Sequence, residues 1–179
     1  APPRGAGGGP RGGAGGFRVV GAGDAGPPIG AGMYVLRVSL DGAVLWDKID
    51  YPAFCPGQMG FGAAIAPTAD GNYVIAGRTG CFQWAGFLLK IDANQGGELW
   101  RKVFDGTAPS HYASLDAVVA TPDGGLLTAG RTGTSCGPEY AGNCDAMLVK
   151  TDGSGVPLWN RRYGGTLDGQ KDAAAGLDE

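Results

Sequence analysis

Apolar and polar residues alternate along this chain in short runs, and most of these runs end at a turn that contains glycine. The clearest case is the segment 86–104, in which Phe87–Asp92 reads as one strand, 93–97 as a turn and Leu99–Phe104 as a second strand. Such alternation with glycine turns predicts antiparallel β-hairpins. Helix signals are scarce, because no long segment is free of glycine and proline.

This hairpin occurs three times. Segments 33–49 and 146–163 follow the plan of 86–104: an apolar strand, a Lys or Arg, a glycine-containing turn, and then Leu-Trp. A further pair of strands lies between the copies and turns at Asp70-Gly71 or at Asp123-Gly124, dipeptides that favour hairpins because glycine tolerates positive φ. Each repeat of about 53 to 59 residues thus holds four short antiparallel strands, named A to D. The pattern predicts an all-β chain built from β-propeller blades.

The register of the repeats predicts where the units begin and end. Three repeats are fewer than the about 4 to 8 blades of known propellers. We therefore expect part of a larger propeller, or a protomer that closes by self-association. The expected units are a Gly/Pro-rich flexible segment at 1–16, the last strand of a preceding blade with its loop at 17–32, complete blades at 33–80 and 86–133, and an incomplete blade at 146–179.

Composition excludes two classes of partner. Charged residues make up 17% of the chain and the net charge is −3. No Lys/Arg cluster could neutralise phosphates, so we expect no nucleic-acid binding. No run of about 18 apolar residues is present, so the sequence predicts no membrane span. Glycine, at 36 of 179 residues, instead indicates many tight turns between short strands.

One glycine motif suggests a dinucleotide site but does not fit its context. Residues 21–26 match G-x-G-x-x-G after a short strand, and Asp41 lies where a ribose-binding acid is expected. A dinucleotide site needs a helix that opens at the third glycine. Pro27 and Pro28 follow at once, and the next strand starts near Met33. We therefore assign these residues to the β repeat and expect no cofactor.

Two families share these features. GNYVIAGRTG at 71–80 and GGLLTAGRTG at 124–133, each followed by an apolar strand and a Leu-Trp hairpin, resemble the delta-60-type repeats of secreted bacterial propeller proteins. The segment 90–100, KIDANQGGELW, resembles the tryptophan-docking motif of quinoprotein-like propellers, which implies that tryptophan anchors one blade to the next. The residues in that role would be Trp46, Trp100 and Trp159. Quinone-dependent enzymes of that class would also imply a ring-stacking Trp, calcium and a catalytic acid, and this sequence matches none of these.

The four cysteines are disulfide candidates. They are Cys55, Cys81, Cys136 and Cys144, and an up-and-down blade places all of them in loops at one end. A step of eight residues rich in Gly, Pro and Asn separates Cys136 from Cys144, which suits a local disulfide, and Cys55–Cys81 is then the second bridge. Sequence alone leaves three pairings open, as well as free buried thiols. A four-cysteine zinc site is disfavoured because no C-x₂₋₄-C pair exists. Disulfides imply an oxidising, extracellular or cell-envelope location.

Residues suited to catalysis are few. His111 is the only histidine, and Ser110 and Asp116 lie near it in sequence, but nothing supplies a nucleophile elbow or oxyanion donors. Arg78 and Arg131 occupy equivalent repeat positions, which is typical of structural ion pairs. The sequence therefore predicts no catalytic, cofactor or metal residue.

The function expected from these observations is a non-enzymatic, exported propeller module that serves as a protein-interaction or cell-surface scaffold. Its partner would be a protein or a carbohydrate. The binding face would comprise the loops that vary in length between repeats, with Trp84, His111 and Tyr140 as candidate contact residues; these loops are 52–60, 81–86, 105–112 and 134–145. The alternative is the propeller domain of a quinoprotein-like or hydrolytic enzyme whose catalytic residues lie outside this segment.

Overall fold

The computed structural model describes residues 16–24, 31–50, 60–80, 84–104, 112–134, 136 and 144–164. Within these ranges every regular element is a β-strand and there is no helix, which confirms the all-β prediction. The strands are β1 (Gly16–Asp24), β2 (Ala31–Ser39), β3 (Val44–Asp50), β4 (Gly60–Pro67), β5 (Tyr73–Gly80), β6 (Trp84–Ile91), β7 (Glu98–Phe104), β8 (Tyr112–Ala120), β9 (Leu126–Gly133), β10 (Cys144–Thr151) and β11 (Pro157–Tyr163).

The strands form three antiparallel sheets, each of which follows the chain order without a crossover. Sheet 1 is β1-β2-β3, sheet 2 is β4-β5-β6-β7 and sheet 3 is β8-β9-β10-β11. Each sheet is a meander, so strand direction reverses at every hairpin. The Leu-Trp strands β3, β7 and β11 are edge strands of their sheets.

The sheets group the strands differently from the predicted units. The predicted unit 33–80 takes β2 and β3 from sheet 1 but β4 and β5 from sheet 2, and 86–133 is divided in the same way. Likewise β1 pairs along its length with β2 instead of closing a preceding blade. A sequence period sets how far apart equivalent strands lie in the chain, but it does not show which four consecutive strands form one sheet. Connection length does not set this grouping either, because the ten residues between β9 and β10 join neighbours in one sheet whereas the nine residues between β3 and β4 link two sheets.

Apolar side chains fill the two spaces between the sheets. Because successive residues of a strand point to opposite faces, Ile75 of β5 faces sheet 1 while Val74 and Ala76 face sheet 3. Both faces of β5 and β6 are therefore buried. Each Leu or Phe that is fully buried there stabilises the folded state by about 1.5–3 kcal/mol. The first core contains Met33, Val35, Ile75, Phe87, Leu89 and Ile91. The second contains Val74, Ala76, Leu88, Phe104, Leu115, Val118, Leu126, Met147 and Val149, with smaller alanines.

The meander gives each sheet two chemically different ends. The turn end carries the tight hairpins at 40–43, 68–72, 92–97, 121–125 and 152–156. Several turns place glycine at positive φ, among them Gly71 at 80° and Gly124 at 79°, as the Asp-Gly pattern predicts. The loop end carries the connections between β5 and β6 and between β9 and β10.

A β-bulge lies at the same place in sheets 2 and 3. The register between β4 and β5 shifts at Ala63, and that between β8 and β9 shifts at Asp116. Opposite each bulge stands a glycine, Gly77 or Gly130. A Cβ on Gly130 would lie 1.9 Å from the backbone oxygen of Ser114, so the close approach of two backbones requires glycine there.

Among the described residues, no helix is long and apolar enough to cross a membrane.

Candidate functional site

Trp46 and Trp100 contact glycines in the turns of the neighbouring sheet. A Cβ built on Gly96, in the β6–β7 turn, would lie 2.8 Å from the ring of Trp46 in sheet 1. A Cβ on Gly155, in the β10–β11 turn, would lie 2.8 Å from the ring of Trp100 in sheet 2. Both glycines stand four positions before their own tryptophan, so each Trp of one repeat packs on the turn of the next. Trp159 is 39% exposed.

A second repeated contact joins strands within sheets 2 and 3. Lys90 Nζ lies 2.8 Å from Asp70 Oδ2, and Lys150 Nζ lies 2.9 Å from Asp123 Oδ2. The hydrogen bond from Lys90, followed by that from Thr68, holds the pKa of Asp70 well below its usual range. For Asp123 the hydroxyl of Thr121 lowers the pKa most, followed by Lys150. These pairs tie each Asp-Gly turn to the adjacent strand.

In sheet 1 the equivalent cation acts between sheets. Arg37 occupies the position of Lys90 and Lys150, and its Nη1 donates a hydrogen bond of 2.9 Å to the backbone oxygen of Ala93 in sheet 2. The Lys or Arg that the sequence places before each Leu-Trp hairpin turn thus lies at the turn end, where it binds a carboxylate or a backbone carbonyl.

The loop end holds a cluster of aromatic rings around one arginine. Arg78 Nη1 donates a hydrogen bond of 2.8 Å to the hydroxyl of Tyr112 in sheet 3. The guanidinium carbon lies 5.1 Å from the centre of the Phe61 ring and 5.2 Å from that of Trp84, which are cation–π distances. Trp84 in turn lies 5.6 Å from Phe61 and 6.5 Å from Tyr112, between ring centres. These four residues are called the Arg78 cluster below.

The Arg78 cluster exists because two positions depart from the repeat. In sheet 3 the equivalent Arg131 binds Asp116, with Nε 3.2 Å from Oδ2, as expected of a structural ion pair. In sheet 2 the position of Asp116 is occupied by Ala63, so Arg78 has no carboxylate partner in its own sheet. The position of Ser114 is occupied by Phe61, which supplies an aromatic ring instead. Arg78 therefore makes its hydrogen bond across the sheet interface.

A disulfide closes the loop end beside this cluster. Cys136 and Cys144 are joined, with their Cα atoms 5.2 Å apart, as their spacing predicts. Both are buried and form an apolar cluster with Tyr112, against which Trp84 packs. The disulfide therefore fixes the start of β10 next to the Arg78 cluster.

The other predicted contact residues have different outcomes. Trp84, predicted in a loop, is the first residue of β6 and pairs with Gly80. A strand position results because the three-residue connection lets pairing continue to the end of β5. Asp116 pairs with Arg131, in line with the structural ion pair expected of the repeated charges. Cys55, Cys81, Ser110, His111 and Tyr140 lie outside the described residues. In the part of the chain that is described, no three His, Cys, Asp or Glu side chains come together as metal ligands.

Sequence reasoning overlooked two members of the Arg78 cluster. Phe61 and Tyr112 are ordinary strand residues by pattern, whereas Trp84 was expected in a binding loop and Arg78 only in a structural ion pair. The available signal was the loss of the carboxylate at Ala63, since an arginine whose repeat-equivalent partner is missing must bind elsewhere.

Comparison with known proteins reveals a similar backbone only. No protein-family model matches the chain, and no curated protein matches it. Among solved structures it is similar to a protein of unknown function from Bacteroides caccae, with a TM-score of 0.48 and 14% sequence identity. That similarity covers 85% of this chain and 43% of the other, so the chain spans less than half the length of that protein.

Proposed function

We propose that this chain forms blades of an exported β-propeller that acts without catalysis as a binding module for a protein or a carbohydrate. The observation that carries the proposal is the contrast between the two ends of the sheets. At the turn end the Trp–Gly contact recurs at both sheet interfaces and the Lys–Asp pair recurs in sheets 2 and 3, whereas the loop end departs from the repeat at the Arg78 cluster. A rigid scaffold with a variable end is the usual arrangement of binding proteins.

The chemistry of the loop end supports recognition through aromatic groups. Trp, Tyr and Arg are the residues that contribute most to binding energy at protein interfaces. Trp84 is half-buried, and its ring lies between those of Phe61 and Tyr112, with centres 5.6 and 6.5 Å away. The disulfide beside it supports an oxidising location.

The binding role is tested with glycan and secreted-protein arrays probed with the folded chain. Trp84→Ala is expected to weaken binding at least tenfold. Asn94→Ala, an exposed position at the turn end, is the matched control and is expected to bind normally. Absence of any ligand, or equal loss in both variants, contradicts the proposal. Release of a chemically altered ligand, detected by mass spectrometry, contradicts its non-catalytic part.

The location is tested by peptide mass spectrometry of protein recovered from its native host. The peptides that contain Cys136 and Cys144 are expected to be linked and to separate on reduction. Free thiols at both positions in the native material would argue against export.

A further inference from the structure

The interface between adjacent sheets is built twice within the chain by equivalent residues. Trp46 covers Gly96 between sheets 1 and 2, and Trp100 covers Gly155 between sheets 2 and 3. The repeat therefore gives every sheet a tryptophan on one face and a turn glycine that receives the tryptophan of the preceding sheet.

One tryptophan and one glycine of this series have no counterpart among the described residues. Trp159 of sheet 3 is 39% exposed, and an ideal Cβ on Gly42, in the β2–β3 turn of sheet 1, has no atom within 4 Å. Gly42 has the positive φ of its equivalents, 87° against 65° for Gly96 and 79° for Gly155. The turn at Gly42 therefore already has a glycine in the same backbone region as the two turns that receive a tryptophan.

The sheet faces around these two residues are also uncovered. On the outer face of sheet 1, Val19 is 50% exposed, whereas its equivalent Ile75 in sheet 2 is 0% exposed. On the outer face of sheet 3, Tyr163 is 54% exposed, whereas its equivalent Phe104 is 8% exposed. Each residue is therefore apolar or aromatic at a position that a neighbouring sheet covers elsewhere in the molecule.

Charged residues also lie at both the inner sheet interfaces and the two outer faces. At the inner interfaces a lysine two residues after the tryptophan lies near an acidic turn. The pKa of Asp92 is lowered first by the backbone N–H of Gln95 and also by the charge of Lys48. That of Asp152 is lowered first by Ser154 and also by the charge of Lys102. The outer faces carry a cation and an acid close to these positions: Arg161 follows Trp159 by two residues, and Asp41 precedes Gly42 in the turn where Ser39 occupies the position of Asp92 and Asp152.

We propose that two copies of this chain associate head to tail, with Trp159 of one copy packed on Gly42 of the other. The contact is heterologous, so two such contacts close a dimer when the rotation between sheets allows it. The described residues of two copies contribute six sheets, which lies within the range of about 4 to 8 blades at which propellers close. The inference rests on the repeated sheet contact and, for closure, on the proposed propeller architecture; it is independent of the proposed binding role.

Light scattering coupled to size exclusion provides the first test, over about 1 to 200 μM protein. The wild type is expected to reach twice the 18.1 kDa of the chain. Trp159→Ala and Gly42→Asn are each expected to raise the dissociation constant at least tenfold, and Asn is chosen because it tolerates positive φ. The controls are Leu158→Ala on the opposite face of β11 and Gly71→Asn, where φ is 80° and the space is open; both should associate normally.

Mixing the two variants tests the head-to-tail geometry. Trp159→Ala keeps a free Gly42, and Gly42→Asn keeps Trp159, so an equimolar mixture is expected to form one intact contact and a heterodimer. An association through two identical faces would show no such rescue. If Gly42→Asn does not fold by circular dichroism, Asp41→Lys in the same turn serves instead, because it leaves Trp159 and Arg161 intact. It should weaken association in low salt more than in 1 M salt, because screening removes the charge term.

Three results would overturn the proposal: a wild type that stays monomeric at 200 μM, association that Trp159→Ala leaves unchanged, and a mixture without rescue. The first would mean that these faces meet other sheets, such as further repeats of a longer polypeptide.

Discussion

Trp100 of sheet 2 lies against Gly155 of sheet 3, so close that a Cβ on this glycine would stand 2.8 Å from the indole ring. Trp46 and Gly96 repeat the contact one sheet earlier. Since each glycine also sits at positive φ, the turn shape and the fit to the tryptophan depend on the same residue. The sheets are thus joined at the turn end by one contact used twice.

Removal of the ring from this contact should destabilise the fold. Trp100→Ala leaves a space against Gly155 and the second core, and we expect a loss of about 2 to 4 kcal/mol in the free energy of unfolding, since Trp100 is only partly buried. Leu99→Ala, on the same strand but 49% exposed, should cost less than about 1 kcal/mol. Urea unfolding in dilute protein measures both. Similar losses for the two variants would contradict a docking role for Trp100.

The glycine opposite the bulge should tolerate no side chain. Gly130→Ala places a Cβ against the Ser114 carbonyl and should cost about 2 kcal/mol or more, because backbone must move. Gly21→Ala is the matched control, since it occupies the equivalent position in β1 with nothing within 4 Å. That variant should change stability by less than about 1 kcal/mol, or raise it. Thermal and urea unfolding compare the two, and equal effects would show that the bulge contact is not what requires glycine.

The hydrogen bond from Arg78 to Tyr112 should contribute to the attachment of sheet 3 to sheet 2. Tyr112→Phe leaves the guanidinium without its acceptor in a partly buried site, and we expect a loss of about 1.5 to 3 kcal/mol. Tyr34→Phe removes an exposed hydrogen bond to Asp47 and should cost less than about 0.5 kcal/mol.

A double-mutant cycle with Arg78→Met separates this bond from packing. If the two side chains interact, the double variant Arg78→Met/Tyr112→Phe should lose less stability than the sum of the two single losses, by more than about 0.5 kcal/mol. Additive effects would indicate that Tyr112 acts through its ring alone.

The two Lys–Asp pairs predict a stability change in acid. The folded state lowers the pKa of both Asp70 and Asp123, so their contribution is complete above the ordinary aspartate value of about 3.9 and is lost as the pH falls below it. The double variant Asp70→Asn/Asp123→Asn lacks this titration. The wild type should exceed it in urea midpoint by a constant margin from pH 7 to 5, and the margin should shrink below about pH 4. A margin that is unchanged at pH 3 would contradict the assignment.

Much of the local structure follows from the sequence. Short apolar runs bounded by glycine turns place the strands, and Asp-Gly at 70–71 and 123–124 places two hairpins, because both signals depend only on neighbours in the chain. The predicted Cys136–Cys144 bridge belongs to the same class, since its two residues bracket one short loop.

The candidate site was less predictable, because it depends on residues that are distant in sequence. Tyr112 is 34 positions from Arg78, and only the packing of sheet 3 on sheet 2 brings its hydroxyl to the guanidinium. Ala63 offered the one local indication, as it removes the carboxylate that Asp116 gives to Arg131.

The sequence by itself determined that this chain is a series of β-hairpins with a tryptophan and a turn glycine in every repeat. Tertiary structure decided which consecutive strands belong to the same sheet. Pairing of β5 with β6 places these two strands in one sheet, whereas β3 and β4, which are also consecutive in the chain, belong to different sheets. It also decided that Trp46 and Trp100 are covered while Trp159 is exposed. The physical reason is that a repeat specifies identical surfaces, and only the arrangement of the sheets determines which of those surfaces meet.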